Sequence, residues 1–301
     1  MKGEEYKYMI KSLILAMRPK QWTKNLLIFA ALIFGERLFH LSDSLIVLII
    51  FILFCLLTSS IYIINDLMDY EQDRLHPEKK KRPIASGKLS KRRAIIFAVF
   101  LALLSLTLAR LINVKGFLVF LIYFILNLFY SFRLKRLVIL DVLCISLSFV
   151  IRAAAGAFVI DVVMSPWLVV CTFLLSLFMA VGKRRGEMIL LDKESVNHRQ
   201  VLSLYNVILL NQMISVVTSS ILIAYSLYTF TSGKSLILMC TIPFVLYGIF
   251  RYLYLVYQEN RGESPTSIFI SDLPLQINML CWLLSVLLIL YWKYLKELVG
   301  I

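Results

Sequence analysis

Histidine is nearly missing from this chain: His40, His76 and His198 are three residues in 301, and each stands alone in a stretch expected to be loop. No His pair marks a metal centre or a poised general base. Cysteine is equally sparing. Cys55, Cys144, Cys171, Cys240 and Cys281 sit singly inside apolar runs, with no C-x-x-C pair and no neighbouring His, which excludes a disulfide framework and a thiolate metal site. Acids are few, 18 Asp and Glu against 32 Lys and Arg. No short apolar stretch ends in a small-residue cleavage site, so no cleavable signal peptide is expected. No low-complexity tract, Gly/Ser hinge or repeat of roughly 20–50 residues divides the sequence, so 1–301 reads as a single intramembrane domain.

Charge itself is short. Only 17% of the residues are charged while 60% are hydrophobic, and a mean hydropathy of +0.83 excludes an ordinary soluble protein. Apolar runs of about 20 residues, enough for a hydrocarbon core of roughly 30 Å, recur along the chain. Nine are expected to span, near 22–39, 44–64, 93–110, 114–132, 138–160, 166–182, 209–230, 235–256 and 274–292. Since helices satisfy their own backbone groups, the fold class is an all-α integral membrane protein of about nine transmembrane helices.

The net charge of +14 does not point to nucleic acid, because the bases fall in alternate loops. Arg18, Lys20 and Lys24, the block from Arg74 to Arg93, the group Arg133, Lys135 and Arg136, and Lys183 to Arg199 would all be cytoplasmic. That puts the N-terminus inside. Residues 1–21 read as an interfacial amphipathic segment stopped by Pro19. Residues 65–92 and 183–208 read as cytoplasmic active-site loops, and a third polar connection offers Arg261 and Asp272.

What the chain does have is an expensive arrangement at one helix end. Asn65, Asp69 and Asp73 lie at i, i+4 and i+8, and Asp66 shares their arc. Three carboxylates on one stripe repel each other unless a cation is held there. Carboxylates and an amide oxygen are hard ligands that suit Mg²⁺, whose shell a bound phosphate completes. Lys and Arg follow at once, as a metal-bridged diphosphate needs. A solvated helix end is the plain alternative, and the exclusion of Glu71, which is off the stripe, holds under either.

These residues resemble a known family. "NDLMDYEQD" (65–73) is similar to the first Asp-rich motif of the UbiA-type intramembrane prenyltransferases, and the resemblance implies a helical bundle around a polar cavity open to the cytoplasmic side, with Mg²⁺ binding a diphosphate leaving group. With "RPKQWTKNLLIFAALIF", "YSFRLKRLVILDV", "FVIRAAAGAF" and "SLFMAVGKRRGEM", it resembles the decaprenyl-phosphate phosphoribosyltransferase branch. That implies phosphoribosyl pyrophosphate as donor and a polyprenyl phosphate as acceptor, in a bacterial-type cytoplasmic membrane. The chain departs from the aromatic-acceptor members after the sixth span, where "GKRRGEMILLDKE" replaces a second Asp-rich motif. Lys183 and Arg184 are candidates for a substrate phosphate and Glu187 for the metal or a ribose hydroxyl, although the basic run also suits a membrane anchor.

Arg152 stands near the middle of a span, where a cation needs a phosphate ligand or an ion pair with Asp141 or Asp161. Tyr130, Lys135, Lys24 and Asn25 suit belt and snorkelling roles, and the resemblance adds phosphate contact. Lys81 and Arg82 precede Pro83, a stiff turn that could aim them at the acids. The expected reaction is Mg²⁺-dependent phosphoribosyl transfer. Its rivals are prenyl transfer to a small acceptor and a transporter, and the sequence leaves room for a homo-oligomer.

Overall fold

Eight of the nine apolar runs become the long helices that their composition asks for in a computed structural model of the chain, which describes residues 2–191, 200–259 and 265–299. Among these residues the secondary structure is helical, with no strand. The chain folds as two compact units, Met1–Cys144 with Ile151–Val163, and Ile145–Val150 with Met164–Ile301.

In the first unit α1 (Lys2–Met17) ends ahead of Pro19, as its sequence suggests. Tyr8, Ile10, Ile14 and Leu15 on it are exposed, while Ser12 and Ala16 are buried. The stretch expected as a first span, 22–39, does not form one long helix. Pro19–Phe29 winds as a 3-10 helix that runs into a short α2 (Ala30–Phe34). Eight helices, rather than nine, are thus long and apolar enough to cross a membrane among the described residues. Hydropathy records how apolar this stretch is but not how it winds. Pro19 removes a donor at the first position, and the Ile28 carbonyl is seated so tightly on Gly156 that a Cβ there would collide with it.

The remainder of this unit is α3 (Leu41–Met68), α4 (Tyr70–Leu75), a basic turn, α5 (Lys91–Ile112), α6 (Val114–Phe132) and the two ends of α7 (Leu140–Val159), whose middle, Ile145–Val150, is counted with the second unit. Side-chain caps set the helix starts: Ser90 accepts from the Arg93 N–H and Asn113 from the Gly116 N–H, satisfying donors that a helix start leaves unpaired. α3 packs on α1, α5, α6 and the 3-10 segment. Its buried face carries Val47, Ile50, Phe54 and Leu57, and Phe54 meets Phe120 edge-on at 4.9 Å between ring centroids. Outward positions such as Val99, Phe100, Leu103 and Ile122 are apolar and exposed, as a lipid solvent requires.

The second unit holds α8 (Pro166–Leu191), α9 (Val207–Thr231), a 3-10 turn leading into α10 (Ile242–Tyr257), α11 (Pro265–Ser271), α12 (Leu273–Leu290) and α13 (Trp292–Val299). α8 packs on α9, and α10 on α12. Asp272 accepts two bonds from Arg251, at 3.1 and 2.8 Å, and also caps α12 through the Leu275 N–H at 2.9 Å. Arg261 and residues 192–199 of the expected 183–208 loop lie outside the described residues.

The Gly156 seat makes a sharp stability test. Gly156→Ala should lower the thermal midpoint of the detergent-solubilised protein, corresponding to about 1–3 kcal/mol of overpacking. Gly116→Ala, whose added methyl would find neighbours no closer than 3.8 Å, should leave the midpoint unchanged or raise it.

Candidate active site

α3 is 28 residues long, roughly 42 Å at about 1.5 Å per residue, so its last turns are surplus to a hydrocarbon core of about 30 Å. Those turns carry Asn65 and Asp66. The helix yields at Asp69 (φ −92°, ψ 11°) and resumes as α4, yet the Asp69 N–H still bonds the Asn65 carbonyl at 2.9 Å and the Asp73 N–H the Asp69 carbonyl at 2.8 Å. The polar stripe therefore survives the bend. Asp66 and Asp73 are buried, at 2% and 3% exposure, and Glu71 faces outward.

Each acid is met by a base. Arg18 pairs with Asp66 through Nη2. Arg82 Nη1 reaches Asp66 Oδ1 at 3.1 Å and Asp73 Oδ2 at 2.6 Å. Lys135 Nζ donates to Asp69 Oδ1 at 2.5 Å and to the Asn65 amide oxygen at 3.4 Å, while the Asn65 amide nitrogen donates to Asp69 Oδ2 at 3.1 Å. Three carboxylates and three cations make the cluster neutral, which removes the repulsion that the sequence poses. Burial pulls the Arg18 guanidinium below its ordinary pKa while Asp66 pushes it back up. Among the described residues no three His, Cys, Asp or Glu side chains converge closely enough to cage a metal as they stand.

Deeper along the same face of α3, Asn25 donates to Thr58 Oγ1 at 3.2 Å and to Cys55 Sγ at 3.3 Å, and its oxygen accepts from Arg152 Nε at 2.9 Å. Arg152 Nη2 donates to the Tyr123 hydroxyl at 2.6 Å. Of the two carboxylates considered for Arg152, Asp161 pairs with Lys115 at the surface. Asp141 starts α7 eleven residues earlier, about 16 Å along the axis and out of reach. Trp22 donates its indole N–H to Ser59 Oγ at 3.1 Å.

Not every expected residue joins the cluster. Lys81 pairs with Glu78 at 3.0 Å on the exposed surface rather than turning to the acids. Lys24 and Tyr130 are half-buried. His76 Nδ1 accepts the backbone N–H groups of Glu78 and Lys79, which assigns it to a turn. Arg18 and Tyr123 were not among the expected site residues. An Arg directly before Pro at the end of an amphipathic helix was the available signal for the first.

In the second unit, the last turns of α8 carry Lys183, Arg184 and Glu187. Arg184 is 1% exposed and donates to Glu187 Oε2 at 2.5 Å, and Lys183 lies 3.7 Å from Glu187 Oε1. Arg185 lies over the Tyr257 ring at 3.9 Å and bonds Asn211 and the Val256 carbonyl, a packing role.

The model of the UbiA prenyltransferase family matches residues 26–273. The chain belongs to that family. Among UbiA relatives, it is 34% identical over 293 residues to a decaprenyl-phosphate phosphoribosyltransferase of Mycolicibacterium smegmatis, covering 92% of each chain. It is 32% identical over 300 residues to the enzyme of the same name from Corynebacterium glutamicum, covering 96% of this chain and 90% of the relative. A UbiA homolog from Archaeoglobus fulgidus bound to GPP and Mg²⁺ shares the fold, with a TM-score of 0.71 at 20% identity over 93% of this chain and 99% of that one. Family membership and eight apolar helices make this an integral membrane protein.

The cluster predicts unequal effects of removing bases. Arg82→Ala strands the buried Asp73 and leaves Asp66 with Arg18 alone, and should destabilise the detergent-solubilised protein by about 3 kcal/mol, the low end for a broken buried pair because Arg82 is partly exposed. Lys81→Ala breaks only a solvent-exposed pair and should leave the midpoint within error.

Proposed function

We propose that this chain transfers 5-phosphoribosyl from phosphoribosyl pyrophosphate to a polyprenyl phosphate of the decaprenyl type, releasing diphosphate. The observation that carries the reading is its 34% identity, over 92% of both chains, to an enzyme named for that transfer. The acid cluster supports it. Its donors are hard oxygens, and Arg82 Nη1 stands between Asp66 Oδ1 and Asp73 Oδ2, a cationic atom where two carboxylates meet. Such a set fits Mg²⁺. Asp66, Asp69 and Asp73 would hold the ion, with Asn65 beside Asp69. When bound, Mg²⁺ supplies charge neutralisation to the diphosphate leaving group.

The chain's own residues account for the remaining requirements. An oxygen of the acceptor phosphate attacks the anomeric carbon, the bond from that carbon to the diphosphate breaks, and the electron pair leaves with the diphosphate. Lys135 and Arg82 are the bases proposed to take up that charge, with Lys81 and Lys24 lending positive potential. A phosphate monoester is largely ionised at neutral pH, its second pKa lying near about 6. No general base is then required, in keeping with a chain whose His76 is occupied in a turn. In the second unit Lys183 and Arg184 are proposed for a substrate phosphate. Glu187, hydrogen-bonded to Arg184 and ion-paired with Lys183, would orient them or a ribose hydroxyl. Asn25 and Arg152, with Tyr130, are assigned to the anionic ends of the substrates. We place the active site on the cytoplasmic face of a bacterial-type inner membrane with the N-terminus inside, as the loop charges suggest.

Purified protein, radiolabelled phosphoribosyl pyrophosphate, decaprenyl phosphate and Mg²⁺ should yield labelled lipid. Asp69→Ala should cut that label about a hundredfold or more, and Lys183→Ala about tenfold. If label instead passes from geranyl diphosphate to an aromatic acceptor and none reaches decaprenyl phosphate, the reading is wrong.

A further inference from the structure

Arg18 differs from the other bases of the cluster in how it is held. Arg82 bridges Asp66 and Asp73, and its own N–H bonds the Lys79 carbonyl ahead of Pro83. Lys135 is shared between Asp69 and Asn65. Arg18 meets Asp66 alone among the acids, through the same Oδ1 that Arg82 uses, and its guanidinium also lies 5.3 Å from the centre of the Tyr62 ring. It stands at the joint between α1 and the 3-10 segment, at φ 54° and ψ 61°. That left-handed conformation is costly for a residue with a Cβ, and a residue ahead of proline prefers extended backbone. Such a position persists only while something holds it. Here two backbone bonds, from the Arg18 N–H to the Leu15 carbonyl at 3.2 Å and from the Gln21 N–H to the Arg18 carbonyl at 2.8 Å, tie the joint, and the ion pair with a carboxylate that is 2% exposed anchors its side chain.

From these observations we propose that Arg18 is a positioning residue that competes with the divalent metal for Asp66. It neutralises the buried carboxylate until metal arrives, then gives it up, and the Arg18–Pro19 joint relaxes towards extended backbone. Charge explains why the exchange is useful. Three acids against Arg18, Arg82 and Lys135 sum to zero, whereas replacing one guanidinium by a divalent ion leaves the cluster at about +1, attractive to a diphosphate only once metal is in place. This rests on the metal-dependent reading above and adds a route by which α1 registers the state of the site.

The test is metal binding without either substrate, so its result does not depend on which group is transferred. With Mn²⁺ as the probe, titrated into purified full-length protein and followed by the loss of the free-ion EPR signal, Arg18→Gln should bind about tenfold more tightly than wild type, equivalent to about 1.4 kcal/mol. Arg18→Lys, which restores a cation, should fall back towards wild type. A merely structural pair gives the opposite sign, because its loss loosens the site and weakens binding. Equal or weaker binding by Arg18→Gln, or no binding by either protein, overturns the proposal. Independently of any variant, Mg²⁺ added to the wild-type protein should speed backbone hydrogen exchange in peptides covering residues 10–24. Unchanged or slower exchange there also overturns it. Tighter Mn²⁺ binding in the variant with no labelled lipid from wild type would instead sink the transferase reading and leave this one standing.

Discussion

Electroneutrality at the end of one helix governs the first unit. Two almost fully buried aspartates and a third close by cannot all stay ionised in a low dielectric without matched cations. The chain supplies those cations from three separate elements, the 18–19 joint, the turn before Pro83 and the turn after α6. The charges therefore tie together segments that apolar packing alone would leave independent. Arg152 repeats the logic further down, where Asn25 and Tyr123 give a buried guanidinium oriented acceptors.

The two units differ in the charge of their polar helix ends. A metal-assisted departure of diphosphate needs concentrated negative charge, and the first unit has it at 65–73. In the second unit the corresponding helix end is basic, with Arg184 buried and Glu187 engaged by both neighbours. A member of the UbiA family that handled a neutral acceptor would have little use for so much positive charge. An anionic sugar donor and an anionic lipid acceptor both have use for it.

Much of this was legible in the sequence, for physical reasons that also mark the limits. The acid stripe could be read because its members are four residues apart and helical periodicity is local. The eight long helices could be read from length and hydropathy. The winding of 19–29 could not, because it depends on a proline and on a glycine more than a hundred residues away. The partners of the acids were equally hidden: Lys135 lies 66 positions from Asp69, and Arg18 lies 48 positions from Asp66 in what reads as a membrane anchor. Composition flags a buried arginine as costly, but only the fold says that Asn25, 127 positions away, receives it.

The length of α3 has a consequence for the surrounding lipid. Its 28 residues outrun a typical bilayer's apolar slab, and its last turn carries Asn65 and Asp66. Acyl chains long enough to thicken the membrane would draw the carboxylates towards hydrocarbon, where separating them from their counter-ions is far harder.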